Sequence, residues 1–143
     1  MAAEGRKIYL SASIRGGRDD QPLYAELISI LNRYGRVLTE HVGDEGLDAA
    51  GEDGLTDHEI YRRDCDWLEE ADWMVVEATT PSLGVGYEIA LAEARKIPII
   101  VLFRQDAGRT LSAMISGNDN IKILRYSKMD DLAPRLEAAL DRL

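Results

Sequence analysis

The sequence predicts an α/β fold: a single doubly wound domain, Rossmann- or flavodoxin-like, with a five-stranded parallel sheet in the order 2-1-3-4-5 and helices on both faces. Three observations predict it. Short apolar runs alternate with helical patterns along the whole chain, and such alternation implies parallel strands joined by right-handed crossovers. The run Ile97 to Phe103 is almost wholly apolar, as a strand buried on both faces must be. The length, 143 residues, fits one domain, since domains cluster near roughly 100–150 residues.

Each element has its own signal. Ile8-Tyr9-Leu10 reads as the first strand, ended by the stretch Ser11 to Arg18. Pro22 suits a helix first turn, and Leu23, Leu27, Ile30 and Leu31 then recur at helical spacing. Val37 to Val42 reads as the second strand. Gly43 to Leu55 holds four Gly and five acids in 13 residues and reads as a loop. Thr56 opens a helix with Glu59 three residues on, a capping box, and that helix runs to about Glu70. Trp73 to Val76 is the third strand, stopped by Thr79-Thr80-Pro81-Ser82. Tyr87 to Lys96 is helical by its Ala and Glu content. Ile97 to Phe103 and Ile121 to Tyr126 are the fourth and fifth strands, and Asp130 to Leu143 a closing amphipathic helix. No repeat, low-complexity tract or linker interrupts residues 1–143.

Composition excludes several classes of function. The 17 Lys and Arg against 26 Asp and Glu give a formal charge of −9, which argues against a nucleic-acid polymer or an anionic membrane as partner. A small anion held in one local cationic pocket is not excluded. The longest apolar run, Pro98 to Phe103, falls far short of the roughly 20 residues that span a bilayer. The N-terminus lacks the apolar stretch of a signal peptide, so the expected location is the cytoplasm. A lone cysteine, Cys65, rules out an intrachain disulfide and a multi-thiolate metal site. With only His41 and His58, and no H-E-x-x-H or facial triad, a transition-metal site is not expected.

In the order 2-1-3-4-5 ligands bind outside the carboxyl ends of strands one and three, where the winding reverses. The two most unusual loops follow those strands. Ser11 to Arg18 mixes hydroxyls, Gly16, Gly17, Arg15 and Arg18: the glycines let backbone amides approach an anion and arginine clamps phosphate. The alternative is a flexible turn with solvated arginines. Pro81-Ser82-Leu83-Gly84-Val85-Gly86-Tyr87-Glu88 leads into a helix whose free amides suit an anion, with Ser82 adding a hydroxyl. It is neither a dinucleotide fingerprint nor a Walker loop. Glu88 is placed in the first helical turn, where the dipole favours its ionised form; simple dipole complementation is the alternative role.

Asp57 and Asp64 lie seven apart on one helix face, and Asp66 points elsewhere. Asp64 and Glu88 have the chemistry of a retaining glycosidase pair, although solvated helix acids are common and spacing alone does not bring the two together. By residue type alone Tyr9 reads as core and His41 as a structural residue rather than a ligand, Trp67 and Trp73 read as core or interface, and Cys65 as buried packing on its helix. Between strands four and five, Leu111, Met114 and Ile115 form a small apolar face, for the monomer core or for a second subunit.

Three stretches taken together, Ser13-Ile14-Arg15-Gly16-Gly17-Arg18, Pro81 to Glu88 and Leu111-Ser112-Ala113-Met114-Ile115, resemble the hallmark segments of the 2′-deoxynucleoside 5′-phosphate N-hydrolases, within the nucleoside 2-deoxyribosyltransferase-like group. Val37 to Val42 and Asp64-Cys65-Asp66-Trp67-Leu68 are similar to that family too, in the same order and with compatible spacing. The likeness runs from Tyr9 to about Tyr126, with Ala12 where related sequences often have Gly.

The resemblance implies a hydrolase that splits a deoxynucleoside 5′-monophosphate into free base and 2-deoxyribose 5-phosphate. It implies Glu88 as nucleophile through a glycosyl–enzyme, Asp64 assisting at the leaving base or around the sugar, and Tyr9 orienting Glu88. It places Ala12, Ser13, Ile14, Arg15, Gly16, Gly17, Arg18, Ser82 and Gly84 around substrate and phosphate, and His41 near the base. It also implies a homodimer with shared sites, in which Ser112, Ala113 and Met114 reach the neighbouring subunit's substrate. Rival readings are a deoxyribosyltransferase, a ribonucleotide N-hydrolase, and a non-catalytic nucleotide-binding module.

Overall fold

The computed structural model describes residues 5–12, 21–40 and 54–143. Its strands are β1 (Lys7–Ala12), β2 (Arg36–Val37), β3 (Trp73–Glu77), β4 (Ile99–Arg104) and β5 (Ile121–Tyr126). Its helices are α1 (Gln21–Leu31), α2 (Asp57–Glu70), α3 (Leu83–Ala94), the single turn α4 (Ala113–Ser116) and α5 (Met129–Leu140). The strands form one parallel sheet in the order β2-β1-β3-β4-β5, as the alternation predicts. The register pairs Ser11 with Val76 and Ala12 with Glu77, so β1 and β3 end side by side at the predicted switch point.

Strand residues alternate between two apolar layers. Ile8, Leu10, Val75, Ile100, Leu102 and Leu124 pack with α1 and α5 on one face. Tyr9, Met74, Val76, Val101 and Phe103 pack with Leu68 of α2 and with Val85, Ile89 and Ala92 of α3 on the other. Burial of a core aliphatic side chain is worth about 1.5–3 kcal/mol. This alternation decides the side of the sheet on which Tyr9 emerges: its ring lies under α2 and α3.

Three differences from the sequence reading matter for the site. The second strand stops at Val37, not Val42. Leu38 N–H still donates to Ile8 O (2.9 Å), but then the buried Thr39 hydroxyl takes over the ladder. It accepts from Leu10 N–H (3.0 Å) and donates to Leu10 O (2.6 Å), so a side chain ends the strand. His41 and Val42 lie outside the described residues, as does Gly43 to Asp53 of the expected acidic loop. Ser11 and Ala12 belong to β1 rather than to the loop after it.

The third difference is the start of α3, which opens at Leu83 rather than Tyr87. Ser82 Oγ accepts the Val85 N–H (3.3 Å) and caps the helix, while Val85, Ile89 and Ala92 bury one face. Capping and packing outweigh the poor propensity of Gly84 and Gly86. Helix α2 begins as read, with Thr56 and Glu59 exchanging capping-box hydrogen bonds that hold the Glu59 carboxyl below its usual range.

Candidate active site

Three elements converge at the carboxyl ends of β1 and β3. From β1 come Tyr9, fully buried, and Ser11. From α2 comes Asp64, on the same face as Asp57, and from α3 comes Glu88. Asp57, Asp64, Gly84 and Glu88 line one cleft of about 250 Å³ between α2 and α3, whereas Asp66 lies on the other side of its helix. Spacing in the sequence therefore sorts the three aspartates of α2 correctly.

Glu88 is the hub. Ser11 Oγ donates to Glu88 Oε2 (2.5 Å), and the Tyr9 phenol donates to the same carboxylate. Burial pushes the Glu88 carboxyl up, and the Asp64 charge adds to that; the two hydroxyl donors and Arg63 oppose it. The first-turn reading of Glu88 is thus corrected. With Ser82 as cap, Glu88 stands in the second turn, beyond the reach of the helix-end dipole, and its charge is supported by side-chain donors instead. The Tyr9 phenol is pushed strongly up by burial, then by Glu88 and Asp64, so it stays protonated and acts as a donor.

Asp64 is held by Arg63, whose Nε and Nη2 both donate to its Oδ1 (3.0 and 2.9 Å). Arg63 also stacks on Trp67, with its guanidinium carbon 4.6 Å from the ring centroid. Across the cleft mouth Tyr61 and Tyr87 meet with ring centroids 6.5 Å apart at 59°. A hydrogen bond to Tyr87, then one to Cys65, pushes the Tyr61 hydroxyl up to about 12. Cys65 is half-buried and lines the cleft rather than packing inside the core.

The turn between β3 and α3 is tied from beneath. The buried Glu77 carboxylate accepts Thr79 N–H (2.7 Å) and the Tyr126 hydroxyl, while Thr79 Oγ1 accepts Arg104 N–H (2.9 Å). Arg109 donates to Thr80 Oγ1 (2.9 Å). Ser82 and Gly84 therefore sit on a fixed platform at the start of α3.

A second, apolar groove of about 710 Å³ runs between α3 and α4. Leu83 (97% exposed) and Met114 (84% exposed) stand at its edge. Leu111, Met114 and Ile115 all line this groove, as the sequence reading expects: Leu111 is buried and Ile115 packs against the core, while Met114 stands exposed with Ser112 and Ala113. Trp73 is core and Trp67 lies at its edge. Ala12 is half-buried at the end of β1, whereas Ser13, Ile14, Arg15, Gly16, Gly17, Arg18 and His41 lie outside the described residues.

Sequence reasoning counted Ser11 among the hydroxyls of the first site loop but not as a partner of Glu88, and it missed Arg63. Ser11 reads as loop unless the strand is extended by two residues, and Arg63 reads as a solvated helix cation. Among the described residues no group of three or more His, Cys, Asp or Glu could hold a metal ion, and no helix is long and apolar enough to cross a membrane.

The chain belongs to the nucleoside 2-deoxyribosyltransferase family, whose pattern matches residues 8–128. Among its relatives, the 5-hydroxymethyl-dUMP N-hydrolase of Rattus norvegicus is 48% identical, over 99% of this chain and 89% of the relative. The Homo sapiens protein of the same name is 46% identical over 94% of this chain and 77% of its own. A putative 2′-deoxynucleoside 5′-phosphate N-hydrolase 1 of Syntrophotalea carbinolica is 43% identical over 94% of each. The structure of the Clostridium botulinum CMP N-glycosidase BcmB superimposes with a TM-score of 0.65 at 19% identity, covering 92% of this chain and 99% of that one. A response regulator receiver domain of Bacillus halodurans shares the fold at a TM-score of 0.52 and 16% identity. The fold alone therefore does not decide the chemistry.

Proposed function

We propose that residues 1–143 form one domain that hydrolyses the N-glycosidic bond of 2′-deoxynucleoside 5′-monophosphates, releasing free base and 2-deoxyribose 5-phosphate. The observation that carries this reading is Glu88, hydrogen-bonded from beneath by Tyr9 and Ser11 of β1 and lining one cleft with Asp64 at the sheet's switch point. Relatives at 43–48% identity named as N-hydrolases support it.

In this reading the Glu88 carboxylate attacks the anomeric carbon, the bond to the base nitrogen breaks, and a glycosyl ester forms; water then cleaves the ester and returns the carboxylate. A deoxyribosyl centre lacks the electron-withdrawing 2′-hydroxyl, so its oxocarbenium-like transition state forms readily. One positioned carboxylate with modest help to the departing base is then enough. Tyr9 and Ser11 fix the orientation of Glu88, and their hydroxyls favour its charged form. Asp64 acts at the leaving base or around the sugar. Neither metal nor organic cofactor enters these steps.

The 5′-phosphate is assigned to the first-turn amides of α3 near Gly84, to Ser82, and to the Ala12 to Arg18 stretch with Arg15 and Arg18 as its cations. His41 is assigned to the base side. The names of the mammalian relatives make 5-hydroxymethyl-dUMP the first substrate to try.

We also propose a homodimer. The exposed Leu83 and Met114 beside an apolar groove support it, and Ser112, Ala113 and Met114 then reach the neighbouring subunit's substrate. We assign the cytoplasm as its location.

Product analysis tests the reading directly. A panel of deoxynucleoside and ribonucleoside monophosphates is incubated with and without a second free base. Free base plus 2-deoxyribose 5-phosphate is expected from the deoxy compounds. Base exchange would make the protein a transferase, turnover of ribonucleotides alone would move the sugar assignment, and binding without turnover would leave a nucleotide-binding module.

A further inference from the structure

We propose that Arg63 is a positioning residue for this reaction: clamped between Asp64 and the Trp67 ring, it fixes the Asp64 carboxylate and supplies the positive charge that offsets the two acids facing each other across the cleft. The inference rests on the N-hydrolase reading above for its catalytic consequence, but not for its electrostatic one.

The geometry is specific. Two guanidinium nitrogens converge on one oxygen of Asp64, at 3.0 and 2.9 Å, which fixes direction as well as distance. The opposite face of the guanidinium lies against Trp67 at 4.6 Å, so the side chain is held on both sides. Both partners of the ion pair are three-quarters shielded, with side-chain exposures of 24% and 22%, so solvent screens the pair less than an ordinary surface bridge.

The groups that face Glu88 come from three elements. From β1 there are Tyr9 and Ser11; from α2 there are Asp57, Tyr61, Asp64 and Cys65, with Arg63 beside Asp64 on the adjoining surface and acting through its charge; on its own helix there is Tyr87. Among these described groups Arg63 is the one cation. It favours the ionised forms of both Tyr9 and Glu88, in opposition to burial and to Asp64. A nucleophilic carboxylate placed beside a second carboxylate has to lose its last proton against that neighbour's charge. A fixed guanidinium on the neighbour lowers this cost without touching substrate. Arg15 and Arg18 lie outside the described residues, and both are left unchanged in the test.

The experiment compares Arg63→Gln, which removes the charge, with Arg63→Lys, which keeps it and loses the two-nitrogen clamp. Two quantities are read on the full chain. One is the titration of Glu88 by carbon NMR of glutamate labelled at the side-chain carboxyl, assigned through Glu88→Gln. The other is the acid limb of kcat/KM against pH for a deoxynucleoside monophosphate. For Arg63→Gln the titration and the limb are expected to move together to higher pH, by on the order of half a unit or more. For Arg63→Lys both are expected to return most of the way, with kcat still reduced because Asp64 is no longer held in one direction. A purely structural role for Arg63 would lower Tm without moving either titration, and that result would overturn the proposal. If the wild-type protein turns over none of the monophosphates, the N-hydrolase reading fails, while the NMR titration still decides for or against Arg63 as the balancing charge.

Discussion

Ser11 Oγ lies 2.5 Å from Glu88 Oε2, joining the end of strand β1 to the second turn of α3 across 77 residues of chain. This bond couples the strand that ends at the switch point to the helix that follows its neighbour. It also replaces the helix dipole as a support for the Glu88 charge. Four expected outcomes test this arrangement and its surroundings.

Glu88→Gln is expected to raise stability at neutral pH. Burial raises the Glu88 carboxyl above its usual range, so the folded state binds its proton more tightly than the unfolded chain does. The contribution of Glu88 to stability is therefore fully present below the usual carboxylate range and is lost as pH rises through its raised value. Glutamine imitates the protonated form and avoids that loss. Its Tm is expected to exceed the wild type by on the order of a few degrees at pH 7 and to match it near pH 4, read by calorimetry across pH. An advantage that grows toward acid pH would contradict the assignment.

Gly84→Ala separates fold from substrate approach. An added Cβ at Gly84 meets only Ser82 Oγ, at 3.8 Å, an ordinary contact. A helical Gly to Ala change should therefore stabilise the protein by up to about 1 kcal/mol. If phosphate lies against the first-turn amides, the same methyl group raises KM for monophosphates severalfold while leaving nucleoside binding unchanged. Unaltered kinetics would remove Gly84 from the phosphate site.

Met114→Glu is expected to convert a dimer to monomers at micromolar concentration, read by sedimentation velocity, because it places a charge on the exposed residue beside the α3–α4 groove. Activity should fall with dimer content if Ser112 completes the neighbouring site. A monomeric wild type with full turnover would rule out shared sites.

Tyr126→Phe removes one of the donors to the buried Glu77 carboxylate and is expected to cost about 1–3 kcal/mol in urea unfolding. The same variant should raise KM more than it lowers kcat, because Glu77 also holds Thr79 N–H beneath the turn that carries Ser82. Loss of stability with unchanged KM would confine the Glu77 network to the fold.

Much of this architecture was legible in the sequence for physical reasons. The apolar run before Phe103 can only be a strand covered on both faces, and the five alternations leave few topologies for a parallel sheet. The capping box at Thr56 and Glu59 set the start of α2, and seven-residue spacing put Asp57 and Asp64 on one face. The start of α3 was not legible, because two glycines hide a helix whose stability comes from the Ser82 cap and from burial of Val85, Ile89 and Ala92. The short second strand was equally hidden, since only tertiary structure reveals that the Thr39 hydroxyl takes over from the backbone. In the site, Tyr9, Asp64 and Glu88 were singled out from residue type and resemblance, but their meeting point depends on the register of β1 against β3. Ser11 and Arg63 act through other side chains, and no spacing rule marks such residues.

The central claim is that Glu88 carries out the bond cleavage in a deoxynucleoside monophosphate. The most direct measurement compares wild type with Glu88→Gln on the same monophosphate, following release of free base and, in parallel, nucleotide affinity. Free base and 2-deoxyribose 5-phosphate are expected from the wild type, with a loss of about a thousandfold or more in kcat for the variant and affinity within a few fold of wild type. Near-wild-type turnover by Glu88→Gln, or a wild type that binds the nucleotide and releases no base, would contradict it.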